Sequence, residues 1–316
     1  MFALRRFLWL IPVLAGVVLV TFTLMHLAPG SPWNLDENAN AGAQLSEAAV
    51  RHLDARYGLD QPWWEQLGRY LSTVVRFDLG DSYRYPGRSA GELIGASLGP
   101  TFTLAAIALV VIVPVGMTLG VVAALRHNSP VDWAVTGIST FAASVPNFVV
   151  GILLIITLSV TLNRLTGGAF FLPAAGFGLD QRLVLPLVTL TLFPIAFLAR
   201  LMRSSTLETL GQDHVRTARA KGLPHRVVVT RHVVKNSLVP VISTLGPMFT
   251  FLVSGTIVVE ALFQIPGLGG TFVQAISARD YPVIMGATMV FTLVVVTANL
   301  LVDIAYALID PRITLS

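Results

Sequence analysis

Six stretches of this chain, approximately 7–27, 101–125, 134–162, 183–199, 237–259 and 283–308, are almost free of charge. A helix needs about 20 apolar residues to cross roughly 30 Å of hydrocarbon, so each stretch is a candidate membrane span. Little is left for a wetted surface. Charged residues are 12% of the 316, against about 25% in an average soluble domain. Hydrophobic residues reach 54%, with a mean hydropathy of +0.73. In lipid every backbone polar group must be satisfied within the protein, and a helix does this alone. The fold class expected is therefore all-α, a polytopic membrane protein of about six transmembrane helices. With no cysteine in the chain, disulfide scaffolds, thiol catalysis and zinc–thiolate sites are excluded.

The first stretch follows Arg5 and Arg6, the pattern of a signal peptide as well as of an anchor. Its apolar run exceeds the usual 7–15 residues of a signal core, and Pro29 follows Ala28 at the small-residue exit, so an uncleaved anchor is expected. The third stretch is too long for one straight crossing, and Pro146 lies near its middle. Two arrangements fit: a kinked helix, or an interfacial helix at 134–145 followed by the span.

Lys and Arg set the orientation. With the N-terminus inside, 12 of the 21 basic residues fall on inner segments. Six of the remaining nine lie in one long outer loop, where the rule loses force. Both termini are thus expected in the cytoplasm. The outer segment, residues 30–98, carries nine acidic and six basic residues and suits short amphipathic helices. The inner stretch 200–236 carries eight basic and two acidic residues.

That inner stretch is the most informative part of the chain. In Asp213-His214-Val215-Arg216-Thr217-Ala218-Arg219-Ala220-Lys221-Gly222-Leu223-Pro224, Asp213 suits a helix N-cap and Gly222 a C-terminal stop. Pro224 suits the first turn of a second helix running into the fifth span. Small Ala218 and Ala220 would allow close approach. The pattern fits either a basic loop resting on anionic lipid or a two-helix element that docks a partner protein.

Chemistry is otherwise sparse. No GxxxxGK[ST] loop is present, the six histidines form no HExxH pair, and no catalytic or metal-binding set emerges. Ser243, Thr250 and Ser254, with Thr244 and Thr256, mark the fifth span as a candidate pathway wall, though such hydroxyls also serve helix packing. Asn299 and Asp303 lie four apart on the sixth. An intramembrane carboxylate is a functional candidate, and a structural partner for Asp303 is the alternative. Glu260 and Asp280 are expected either at a pore mouth or solvated at the surface.

Arg216-Thr217-Ala218-Arg219-Ala220-Lys221-Gly222 resembles the EAA loop of the membrane subunits of bacterial binding-protein-dependent ABC importers. Gly222 takes that loop's glycine, Arg216-Thr217-Ala218 stand in place of Glu-Ala-Ala, and His232, Val234 and Lys235 fall at the closing positions. The variant is similar to that of oligopeptide, dipeptide and nickel permeases. Further matches are Arg5-Arg6 with Ile11-Pro12, Leu27-Ala28-Pro29-Gly30, Tyr57-Gly58-Leu59-Asp60-Gln61-Pro62 and Asp78-Leu79-Gly80-Asp81-Ser82-Tyr83. Pro266-Gly267-Leu268-Gly269, Arg279-Asp280-Tyr281-Pro282, Asn299-Leu300-Leu301-Val302-Asp303 and Asp310-Pro311-Arg312 complete the set.

The resemblance implies a type I ABC importer (MetI-like) permease fold. It divides the chain into an anchor helix at 1–28, an extracytoplasmic segment at 29–98 and a permease domain at 99–316 with a cytoplasmic coupling loop at 204–236. It further implies a homologous second permease, two ATPase subunits that bind the ATP and Mg, an extracytoplasmic solute-binding protein, and no cofactor on this chain. Peptides or nickel chelates are the implied cargo, crossing the bacterial inner membrane. The residues implied in coupling to the ATPase are 213, 214 and 216–222.

Overall fold

The computed structural model describes the backbone of residues 2–33 and 46–309, and side chains over 10–33 and 46–300. Thirteen α-helices appear among them: α1 Phe2–Leu27, α2 Glu47–Tyr57, α3 Trp63–Val75, α4 Ala90–Leu125, α5 Pro130–Ser144, α6 Asn147–Leu154, α7 Leu162–Leu165, α8 Val184–Leu210, α9 Asp213–Ala220, α10 His225–Val227, α11 Lys235–Phe263, α12 Leu268–Ala278 and α13 Tyr281–Ile309. Wider π turns at Ile155–Thr161 and Val228–Val234 join α6 to α7 and α10 to α11. The described residues contain no strand beyond one isolated bridge, Asp81 to Ser89, so the all-α expectation holds.

Six helical stretches are long and apolar enough to span a membrane: Leu10–Leu27, Ala90–Leu125, Asn147–Leu165, Gln181–Leu210, His225–Leu262 and Tyr281–Leu300. They coincide with the six expected spans, but several outrun them. The second helix begins at Ala90 and the fifth at His225, because polar turns flanking an apolar core keep their backbone hydrogen bonds. Within the third stretch the chain breaks at Val145–Pro146, both in extended conformation, so α5 is a separate helix from α6. Pro146 cannot continue a helix it would enter from α5, and instead sits ahead of the first turn of α6.

The chain divides into two compact units. The first comprises residues 1–99 and 266–296. Its apolar core joins Val18, Phe22 and Met25 of α1 to Ala90 and Ile94 of α4, Leu268 and Ala275 of α12, and Val283, Ile284, Met285 and Ala287 of α13. The short helices expected within residues 30–98 are α2 and α3. Ser46 caps α2, and Gly58 ends it at φ 70°.

The second unit comprises residues 100–265 and 297–316 and is organised around α8. Leu185, Leu190, Leu198, Ala199 and Met202 of α8 are buried. Gly116 and Gly120 of α4, one turn apart, let its backbone lie against α8. A Cβ at Gly116 would stand 2.9 Å from Leu198 Cβ, and one at Gly120 would stand 2.7 Å from Met202 Cβ. Small residues four apart are how apolar helices approach closely in lipid. Gly120→Leu is therefore expected to cost about 1–3 kcal/mol, as forced overpacking does, and to lower the midpoint of thermal unfolding in detergent. Gly137→Leu, at a position with nothing within 4 Å, should leave it nearly unchanged.

Candidate functional site

The basic stretch 200–236 contains a helical hairpin, α9 turning into α10. Gln212, with extended backbone, is the N-cap of α9, and no side chain bonds the first turn. Asp213 is thus not the cap but the first helical residue; its carboxylate lies 3.8 Å from Arg216 one turn on, and both side chains are largely exposed. At the other end Gly222 lies at φ 75°, where its N–H donates to the Arg219 carbonyl at 2.9 Å and that of Leu223 to Ala218 at 3.3 Å. This pair of bonds is the Schellman closure that a left-handed glycine permits. Pro224 follows as the residue preceding the next helix, one place before its first turn.

The hairpin has a separate small core, in which Val215 and Ala218 of α9 pack on Val228 and Val233 with Leu210 against them. Ala218 makes the close approach; Ala220 is exposed and does not. His214, Arg216, Thr217, Arg219, Lys221 and Gly222 are likewise exposed, so α9 buries one apolar edge and presents a basic face. His214 Nε2 lies 2.8 Å from Asn236 Nδ2 and 3.2 Å from the His232 carbonyl, tying the start of α9 to the base of α11.

A buried hydroxyl cluster joins α8 to α11, the two helices that flank the hairpin. Ser205 Oγ donates to the Ser237 carbonyl at 3.0 Å, while Ser237 Oγ lies 3.1 Å from Thr209 Oγ1 and 2.9 Å from the Val233 carbonyl. Nearby, Arg203 of α8 clamps Asp132 of α5 with two bonds, Nε to Oδ1 at 2.5 Å and Nη2 to Oδ2 at 2.7 Å. The Asn128 N–H adds a third at 3.0 Å, and His127 Nδ1 lies 3.2 Å from Oδ2. Asp132 is buried, and the Arg203 bonds, above all, hold its carboxyl well below the usual carboxylate range. Sequence reasoning missed this pair: Arg203 registered only as one of many inner basic residues.

The residues expected along a pathway do not share one environment. Ser243 is half-buried and donates within its helix to the Val239 or Pro240 carbonyl, each at 3.0 Å. Thr250 Oγ1 is buried with no hydrogen-bond partner among the described residues. Ser254 and Asn299 are exposed, and the side chain of Asp303 lies outside the described residues.

Glu260 and Asp280 are buried rather than solvated at the surface. Glu260 is fully buried and accepts a bond from Thr101 Oγ1 at 2.7 Å. Asp280, also buried, accepts from Ser82 Oγ and from the N–H groups of Tyr83 at 3.1 Å and Arg84 at 3.3 Å. Two motifs far apart in sequence therefore meet, the 78–83 turn against the 279–282 turn. Gly80 at φ 83° packs beside Pro282, and Arg279 takes a left-handed conformation that ends α12.

Residues 116–315 match the family model of the binding-protein-dependent transport system inner membrane component. The chain belongs to this family. A dipeptide transport system permease protein, DppB of Bacillus subtilis, is 38% identical over 314 residues, 99% of this chain and 98% of its own length. OppB of Salmonella typhimurium, an oligopeptide transport system permease protein, is 36% identical over 312 residues at the same coverage. Among solved structures, the methionine ABC transporter MetNI in an inward-facing conformation aligns with a TM-score of 0.54 at 16% identity, over 69% of this chain and 96% of that one. An amino acid ABC transporter aligns at 0.52 and 15% identity, over 70% and 94%. These alignments show the fold: a multi-pass membrane protein of MetI-like architecture, as the resemblance implied.

Two outcomes test the geometry around the hairpin. Asp132→Asn is expected to destabilise the protein by about 2–3 kcal/mol at neutral pH, since it leaves a partly buried guanidinium unpaired. A depressed carboxyl contributes stability that is complete above its unfolded value and fades as pH falls through the folded one, so the wild-type advantage should shrink only below about pH 4. Unfolding midpoints across a pH series check both. Gly222→Ala is expected to cost roughly 1–2 kcal/mol, the strain of a left-handed alanine, read as lost helicity or increased proteolysis of the hairpin.

Proposed function

We propose that this chain is one of two permease subunits of an ABC importer for di- or oligopeptides in the bacterial inner membrane, with both termini cytoplasmic. The observation that carries the reading is full-length similarity to dipeptide and oligopeptide permeases in a chain whose inner loop is a rigid, basic, exposed hairpin. A homologous permease completes the pathway, two ATPase subunits hold ATP and Mg, and an extracytoplasmic binding protein delivers the peptide. No bond in the peptide is made or broken by this chain, and no cofactor is assigned to it.

In this reading α9 is the coupling helix, and residues 213, 214 and 216–222 form the coupling element that meets a cleft of an ATPase. The hairpin is suited to the task because its core and hydroxyl contacts tie it to α8 and α11. Force applied to the basic face then reaches two spans at once. Closure of an ATPase pair becomes rotation of a helix bundle, a two-state rearrangement rather than a local deformation. Ser243, Thr250, Ser254, Asn299 and Asp303 are assigned to the pathway wall on the inner spans, with substrate crossing between the two permeases by alternating access.

Reconstitution into proteoliposomes tests the assignment. Peptide uptake should need the partner permease, both ATPases, ATP and the binding protein. Uptake by this chain alone, without ATP, would overturn it. Reversing charge at Arg216 and Arg219 together should leave ATP hydrolysis measurable but reduce its coupling to uptake roughly tenfold or more, the loss of a few charged contacts. Unchanged coupling would remove α9 from the mechanism.

A further inference from the structure

The first unit contains a cavity of about 230 Å³ that the transport reading does not use. Its walls come from the last turns of α1, the junction of α2 and α3, the 79–83 turn and the first turns of α13. Five rings line it in succession, Tyr57, Tyr83, Tyr281, His26 and Phe22, and Trp33 stacks behind Tyr57, with centroid separations from 4.0 to 6.1 Å. Tyrosine and tryptophan gather where one end of a ring meets hydrocarbon and the other meets water, which is where the ends of two spans lie.

Two guanidinium groups face this cavity without an ion-pair partner among the described residues. Arg56 rests on the Tyr57 ring, its Cζ 5.6 Å from the centroid. Arg69 lies across the bare Cα of Gly58, where a Cβ would overlap its guanidinium. One carboxylate, Asp81, lines the same space, leaving the wall with an excess of positive charge. Burial, and then the neighbouring Asp280, hold the Tyr83 phenol well above its ordinary range, so it remains a hydrogen-bond donor. His26 is already engaged, its Nε2 lying 3.1 Å from Gln66 Oε1.

We propose that this cavity binds one anionic oxygen group, a phosphate or a carboxylate, presented by a phospholipid headgroup or by a small solute. Guanidinium forks and phenolic donors match the geometry of such groups. The volume is below the roughly 300 Å³ at which ligand pockets usually begin, which suits a headgroup or an amino-acid-sized solute. The surplus of guanidinium groups at the wall favours an anionic over a cationic occupant.

The test uses the full-length chain, delipidated in detergent. Native mass spectrometry counts retained phosphatidylglycerol against diacylglycerol, which lacks the phosphate. Thermal unfolding follows titration with alanyl-alanine against its C-terminal amide. A saturable preference for the anion in the first arm identifies a lipid, and in the second a solute. Arg56→Gln with Arg69→Gln should weaken the preferred ligand roughly tenfold or more, while Arg51→Gln, exposed on the same α2 helix but outside the cavity, should not. If the double variant fails to assemble, Arg56→Gln alone carries the test with a smaller effect in the same direction. The proposal is overturned if neither arm prefers the anion, or if the arginine variants bind as the wild type does. Because the readout is binding and not uptake, either result leaves the transport assignment untouched.

Discussion

Hydrocarbon gives apolar helices no reason to prefer one another, because lipid tails are as apolar as leucine. Helix association must then come from close fit and from the few polar groups that cannot face lipid. Both are visible around α8. Glycines bring α4 onto it, Gly151 brings α6 against Thr189, and Arg203 holds α5 through Asp132. Without these contacts the same sequence would still form helices, but nothing would fix which faces meet.

The polar contacts are placed where they do most. Ser205, Thr209 and Ser237 lie buried at the foot of α8 and α11, and Asp132 with Arg203 at the foot of α5 and α8. The spans themselves keep their hydroxyls mostly for intrahelical bonds, such as Thr189 to Leu185 and Thr288 to Ile284. Specific joints therefore lie toward the ends of these helices, around the hairpin and, through Thr101 and Glu260, at the far end of α11, with apolar contacts between. Such an arrangement favours rigid movement of whole helices over internal repacking.

Much of this was legible in the chain. Apolar runs located all six spans, Pro146 marked the break in the third, and Gly222 marked the end of α9 because a left-handed turn requires it. What could not be read were partners distant in sequence. Asp132 and Arg203 are 71 residues apart, Thr101 and Glu260 are 159, and Ser82 and Asp280 are 198. None of these partners could be named in advance, since a sequence displays the cost of burying a carboxylate but not the group that offsets it. Helix lengths were underestimated for a related reason: α4 and α11 extend into polar turns that hydropathy alone assigns to loops. Gly116 and Gly120 did carry a readable signal, their spacing of four, which the strong apolar pattern around them obscured.

The stretch from His225 to Phe263 runs from the hairpin to the far end of the fifth span with no break in its helical path. At 1.5 Å per residue its α11 portion alone is about 44 Å long, so a tilt of about 5° at one end displaces the other by roughly 4 Å. Pro240 and Pro247 interrupt its hydrogen-bond ladder partway along. A lever with soft points converts part of that swing into bending near Gly246, so the stroke delivered beyond it is shorter, and differently directed, than the one applied at the hairpin.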